Sequence, residues 1–285
     1  MTVAPPSRAG SADQNTAIHA LQAVERKRLS WFRRLPLLDT AVSLAVGLIV
    51  WEILGRVFEA ASLPPASKVM ARLWEMVGDG LILNSLGSSL VNLALGFGLS
   101  LTLGLVVGGL MGWYHRVESA FSVYVYALLT SPSLVFAPVF FSVFGDGRES
   151  IIGVIVMYST FAIMITTTDS IKAVSPSLVE MARSFGASPT TALFRIVIPA
   201  ALPGIMAGIR LGASRAVTGM INGEMFIAVV GLGRIVTEAG GRFDATSVLA
   251  VIVVIVAVAL LVIGLVQFIE RRLTSWLPKS ERGAA

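Results

Sequence analysis

The hydrophobic and polar positions of this chain segregate in long blocks, not at the short period of a soluble helix or strand. Runs without a single charge cover Leu81–Trp113, Ser119–Gly145, Ser150–Thr168 and Ala245–Ile269. Two further apolar runs are interrupted: Leu37–Phe58 by Asp39, Glu52 and Arg56, and Ala200–Gly233 by Arg210, Arg215 and Glu224. About 20 apolar residues suffice for a helix to cross the hydrocarbon core of a bilayer. The blocks therefore predict an all-α polytopic membrane protein with six transmembrane helices within 37–272. Residues 1–36 and 273–285 are expected to be a basic, disordered N-terminal tail and a short C-terminal tail. No signal-peptide pattern is seen in the first of these.

Two runs are irregular. At 1.5 Å per residue, Leu81–Trp113 would be about 50 Å long, and its front end carries Asn84, Ser85, Ser88, Ser89 and Asn92. Part of it is expected to emerge from the bilayer or to pack on protein. Pro132 and Pro138 interrupt Ser119–Gly145. Broken helices are tolerated where they line a cavity or are buried in protein. Pro132, with Ser131 beside it, is thus either part of a pathway or the site of a simple kink.

Composition supports the same class. Hydrophobic residues make up 55% of the 285 and charged residues 14%, against roughly 25% charge in soluble domains. Mean hydropathy is +0.81. The chain has no cysteine and two histidines, which excludes disulfides and thiolate metal sites and argues against a histidine site. Glycines recur at 96, 98, 104, 108, 109 and 112, and again at 204, 208, 212, 219 and 223. Small residues let helices approach closely in lipid, so these stripes mark either functional, mobile contacts or ordinary bundle packing.

Net charge is +5, which reports topology and not nucleic-acid binding. With the N-terminus inside, 14 Lys and Arg fall on the cytoplasmic side and six on the other. The positive-inside rule then places both termini in the cytoplasm.

The 172–199 loop carries the strongest local signal. Ser175-Pro176 is a helix start and Gly186 a helix stop. Ser188-Pro189 starts a second short helix, expected to end before Ile196-Val197-Ile198-Pro199. Leu178, Ala182 and Phe185 share an apolar face, with Glu180 and Arg183 off it. Such an elbow suits a cleft in a soluble partner; the competing reading is an amphipathic helix lying on lipid.

The spacing Glu180-Met181-Ala182-x3-Gly186-x9-Ile196-x-Ile198-Pro199 resembles the EAA loop of ABC-importer permeases. Met181 and Ile198 depart from that pattern by mild apolar swaps. Leu63-Pro64-Pro65, Pro132, Pro138, Phe144-Gly145, Pro203, Gly208-Ile209-Arg210 and Glu224 resemble further features of the nitrate/sulfonate/taurine-type members, over roughly 37–275. The resemblance implies a type I importer permease fold with cytoplasmic coupling helices. It implies two permease subunits, expected to be identical. Cytoplasmic ATPase subunits would dock at Glu180, Ala182, Arg183, Phe185, Gly186, Ile196 and Pro199. A substrate-binding protein would dock outside. ATP and magnesium would be bound by the ATPase, so this chain is expected to hold no cofactor and to be no enzyme. Small anions (sulfonates, taurine, nitrate) are the implied substrates, with thiamine- or riboflavin-type precursors and aromatic acids as the alternative.

Charges inside the fifth run are costly in lipid and functional by default. Arg210 is placed to snorkel to the cytoplasmic end. Arg215 either lies near the pathway, favouring an anion, or pairs with Glu52, Asp169 or the partner subunit. Glu224 is a gating or structural residue at the subunit contact. An ion-driven secondary transporter would need more spans and a carboxylate relay. An intramembrane enzyme would need a catalytic cluster, which the sequence lacks. No phosphate-loop signature occurs, and none of the four lysines follows a glycine.

Overall fold

The computed structural model describes residues 36–57, 63–227 and 229–275. The two expected tails lie outside the described residues, except at Pro36 and 273–275. Helix α1, Pro36–Val57, belongs to a unit of its own that ends at Ala60. Within it Glu52 and Arg56 form an ion pair of 2.7 Å one turn apart.

The second unit contains the remaining helices in this order: α2 (Ala66–Gly78), α3 (Leu81–Trp113) and α4 (His115–Thr130); a 3-10 turn (Ser133–Phe136) and α5 (Ala137–Phe144); α6 (Arg148–Lys172), α7 (Pro176–Ser184) and α8 (Pro189–Ala192); a π turn (Leu193–Val197) and α9 (Ile198–Ile227); then α10 (Gly231–Gly241) and α11 (Ala245–Leu273). Among the described residues, four helical stretches are long and apolar enough to cross a membrane: α3, α6, Pro189–Ile227 and α11. A fifth exists if α4 and Ser133–Phe144, bent by 98°, count as one. The expected count of six is therefore not confirmed: four or five qualify among the described residues. The described part of the 37–58 run forms α1, Pro36–Val57, but that helix is not among them.

Two expected boundaries are corrected. The second loop helix does not stop before Ile196: Pro189–Ile227 is one rod of 39 residues. Pro199 has no N–H for the carbonyl of Arg195, and the chain widens into a π turn over Leu193–Val197 instead of breaking. At the other end the run does not continue to Gly233. The rod ends at Ile227, and Gly231, at φ +83°, opens α10. The placement of charges could not reveal that break, because no charge falls between Glu224 and Arg234.

Helix α6 is the axis of the bundle, packed between α3 and α9. The two glycine stripes are the surfaces that receive it. A methyl group on Gly96 would lie 2.7 Å from Ile155, one on Gly104 2.7 Å from Ile163, and one on Gly112 2.8 Å from Ile171. From the α9 side, Gly204 faces Ser170, Gly208 faces Thr166, and a methyl on Gly219 would sit 2.9 Å from Tyr158. The chain thus gains close packing where water supplies no driving force between helices.

Helix α3 is amphipathic in the inverted sense. Ser85, Ser89, Asn92, Gly96, Ser100, Gly104 and Gly108 are buried, while Leu83, Leu90, Leu95, Leu99, Leu103 and Leu110 are exposed. Of the polar front end, Ser85, Ser89 and Asn92 pack on protein while Asn84 is exposed; a buried hydroxyl or amide needs a partner in a medium that offers none. Ser100, for example, accepts from Ser159 of α6 at 2.6 Å.

Candidate functional site: an elbow and a buried carboxylate

The loop after α6 forms the expected elbow. Ser175 occupies the N-cap position before Pro176, but its hydroxyl bonds Ser177 Oγ at 2.8 Å instead of capping the backbone. Helix α7 ends in a Schellman turn: Ala187 N–H donates to Ala182 O (3.0 Å) and Gly186 N–H to Arg183 O (2.9 Å). Gly186 has φ +78°, a conformation that costs an L-residue about 1–2 kcal/mol. The second helix is capped by Ser188, whose Oγ accepts Thr191 N–H at 3.2 Å.

The structure separates residues the sequence put on one face. Ala182 is buried and anchors the elbow, while Phe185 projects with 86% of its surface exposed. Leu178, Met181 and Phe194 are also exposed. Glu180 and Arg183 are exposed, and no ion pair joins them among the described residues. Ile196 and Pro199 are half-buried within the rod. Under the elbow a cavity of about 560 Å³ opens between the end of α6 and the start of α9, lined by Asp169, Ser175, Leu178, Pro203 and Gly204 among others.

The second centre lies at the opposite end of α9. Glu224 is fully buried. Its Oε2 accepts from Ser89 Oγ (2.8 Å) and Gly233 N–H (3.2 Å), and its Oε1 from Asn92 Nδ2 (3.2 Å). Ser89 Oγ in turn accepts Leu232 N–H at 2.9 Å. The carboxylate therefore sits at the first turn of α10, where unpaired backbone N–H groups and the helix dipole favour an anion. It ties three helices together. Sequence reading singled out Glu224 but not its partners. Their one signal was polar residues at 85, 89 and 92, a single face of α3.

The other candidates disperse. Ser131 Oγ donates back to Ala127 O at 2.7 Å, and Pro132 is exposed at the bend. The 3-10 turn that follows packs on α6 and α9. Arg210 does not simply snorkel: its Nη1 lies 3.2 Å from Glu270 Oε2 of α11, a partner 60 residues away that no local pattern indicates. Arg215 is half-buried on α9 and has no ion pair among the described residues, with Asp169 or otherwise. No cluster of three or more potential metal ligands occurs among the described residues.

A helical bundle packed on a glycine-clasped axis, with a paired-helix elbow joining two membrane-length helices, is the architecture of a polytopic membrane protein. The chain belongs to the binding-protein-dependent transport system inner membrane component family, whose model matches residues 100–275. It is 30% identical over 270 residues to a protein named as the aliphatic sulfonates transport permease SsuC of Bacillus subtilis, covering 94% of this chain and 96% of that one. It is 28% identical to the formylaminopyrimidine transport permease ThiX of Halalkalibacterium halodurans, covering 81% and 93%. It is 29% identical to the taurine transport system permease TauC of Escherichia coli K12, covering 90% and 96%. The fold matches a chain of the inward-facing methionine transporter MetNI with a TM-score of 0.61 at 20% identity, covering 68% of this chain and 96% of that one. Permeases of this class are transport components of the inner membrane that work with an ATPase and a substrate-binding protein.

Proposed function

We propose that this chain is the pathway-forming subunit of an ATP-driven importer for a small organic or inorganic anion, and that the elbow Pro176–Ala192 couples it to a separate ATPase. Both termini and the elbow face the cytoplasm in this reading, a second copy completes the pathway, and a binding protein delivers substrate from outside. ATP and magnesium stay on the ATPase, and this chain catalyses nothing. Glu180, Arg183 and Phe185 meet the ATPase. Ala182, Gly186, Ile196 and Pro199 hold the elbow's shape and its continuity with α9. Ser131 and Pro132 flank the pathway, and Glu224 fixes the outer end of α9.

One observation carries the coupling assignment. Phe185 is held out in solvent beside exposed Met181 and Leu178, on a turn anchored by buried Ala182. An exposed apolar knob with a fixed base is suited to a cleft. It leads through the unbroken rod Pro189–Ile227 into the membrane, so a push on the elbow moves α9. The relatives named for sulfonates and taurine support the anion.

The test is purification of the full chain from its native membrane. An ATPase subunit should co-purify, and Phe185→Asp or Glu180→Lys should lose it while the chain still inserts. An undiminished complex in both variants, or labelling of the elbow from outside the cell, would overturn the assignment.

A further inference from the structure

Arg215 lies well inside the rod, about 26 Å from Ile198 and about 18 Å from Ile227 at 1.5 Å per residue. An intramembrane guanidinium is costly without a counter-charge, and among the described residues no carboxylate pairs with Arg215. Toward the ends of the long described helices lie Glu52, Asp169, Glu224 and Glu270, and none of them forms an ion pair with Arg215. Glu52 is paired with Arg56, Glu270 with Arg210, and Glu224 is engaged by Ser89, Asn92 and Gly233.

The surroundings of Arg215 are polar too. Ser214, Arg215, Thr218 and Asn222 fall within an arc of about 100° on α9. Ser214 and Thr218 are exposed, and Arg215 and Asn222 half-buried. Asn222 Nδ2 donates to Tyr158 Oη at 2.8 Å, which fixes the amide against α6. Elsewhere the bundle shows lipid what lipid tolerates: α11 exposes Val256, Leu260, Leu261, Leu265 and Phe268. Hydroxyls, an amide and an unpaired cation do not belong on such a face. They belong on one that meets water.

We infer that Arg215, with Ser214, Thr218 and Asn222, forms an oxyanion station part-way through the membrane, and that the missing counter-charge is the transported anion itself. The inference rests on the permease reading. A guanidinium offers a planar fork of N–H donors matched to two oxygens of one group; the flanking hydroxyls and amide add neutral donors. Thr218 Oγ1 already donates to Ser214 O at 3.3 Å, so the neutral donors to spare are the Ser214 hydroxyl and the second Asn222 N–H; with the guanidinium they suit a sulfonate, a carboxylate or nitrate and disfavour cations.

The chain has no native cysteine, so single cysteines report cleanly. Thr218→Cys in the full chain, in native membrane vesicles, is treated with anionic 2-sulfonatoethyl methanethiosulfonate or cationic 2-(trimethylammonium)ethyl methanethiosulfonate. The anionic reagent should react faster, by on the order of tenfold for a full charge at close range. The preference should vanish in Thr218→Cys/Arg215→Gln. Leu260→Cys, on the apolar face of α11, should react with neither charged reagent, because a thiol in apolar surroundings stays protonated. Equal rates for both charged reagents, or a preference that survives Arg215→Gln, would overturn the station. So would failure of the anionic reagent to reach Thr218→Cys. The permease reading is judged separately, by ATPase co-purification.

Discussion

The carboxylate of Glu224 occupies the space that any side chain on Gly231 would need. Gly231 also has φ +83°, so the position excludes an L-residue twice over. The two residues define how α9 is followed by α10: the chain leaves the rod, reverses through a left-handed glycine, and presents the new helix's N–H groups to the last carboxylate of the old one. Gly233 is confined in the same way, since a methyl there would lie 2.6 Å from Glu224 Cβ. Gly231→Ala should therefore cost at least about 2 kcal/mol, the left-handed conformation and the displaced carboxylate adding together. Gly240→Ala, with open space around it, should be nearly neutral. Thermal unfolding of the two variants in the same detergent separates them.

Glu224→Gln keeps the shape and removes one acceptor. Its amide would confront the Gly233 N–H or the Asn92 amide with a second donor. An unsatisfied buried donor costs about 1–3 kcal/mol. The variant should melt earlier, and amide hydrogen exchange over Gly231–Ile235 should speed up. Unchanged protection there would mean that α10 is held by its apolar contacts and not by the carboxylate.

Much of this architecture was legible in the sequence, and the reason is solvent. Lipid forbids charge along most of a span, so the charge-free runs 81–113, 150–168 and 245–269 reappear as α3, α6 and α11 with few changes at their ends. The spacing Glu180…Gly186…Pro199 read the elbow, because a Schellman turn needs a glycine at one position and that need is local. What stayed hidden is non-local or unmarked. Ser89 and Glu224 meet across 135 residues, Arg210 and Glu270 across 60, and nothing near either residue names the other. The break after Ile227 carries no charge, and two glycines can belong to a span as well as to a turn.

The Gly186 corner separates conformation from crowding. No atom lies within 4 Å of a methyl placed there, so only the backbone resists substitution. Gly186→Asn should be tolerated, because asparagine adopts the left-handed region readily. Gly186→Ala should cost about 1–2 kcal/mol of local stability. Gly186→Pro forbids the conformation and removes the N–H that bonds Arg183 O. In proteoliposomes with the ATPase, hydrolysis should then persist while substrate-driven stimulation is lost. A proline variant that is stimulated normally would show that the turn is not what transmits motion.

Arg210 and Glu270 join α9 to α11 through a partly buried pair. Removing one partner leaves the other charge in a poor solvent, so each single variant, Arg210→Gln or Glu270→Gln, should be destabilised. Charge reversal in both, Arg210→Glu with Glu270→Arg, should recover a large part of that loss. The coupling between the two sites should be about 1–2 kcal/mol, between the values of exposed and buried pairs. A thermal-stability double-mutant cycle measures it, and additive single effects would show that the two charges act independently.

The start of α11 gives the protein a pH dependence of known sign. Asp244 caps the helix: its Oδ1 accepts Ser247 N–H at 3.1 Å and its Oδ2 accepts Ser247 Oγ at 2.5 Å. Those hydrogen bonds to Ser247, helped by the nearby Arg72 guanidinium, hold its carboxyl below the ordinary value of 3.8. A carboxylate depressed in the folded state adds stability that is complete above its ordinary value and is lost as the pH falls through the folded one. Ser247 Oγ also accepts from Arg72 Nε at 3.0 Å, so protonation loosens the link from α11 to α2 as well as the cap. Acidification below the ordinary carboxyl range should therefore release α2 before the bundle melts. Asp244→Asn retains a capping oxygen and lacks the titration. Fluorescence of Trp74, on the exposed side of α2, should report the acid transition in the native chain, and that transition should be absent in the Asn variant.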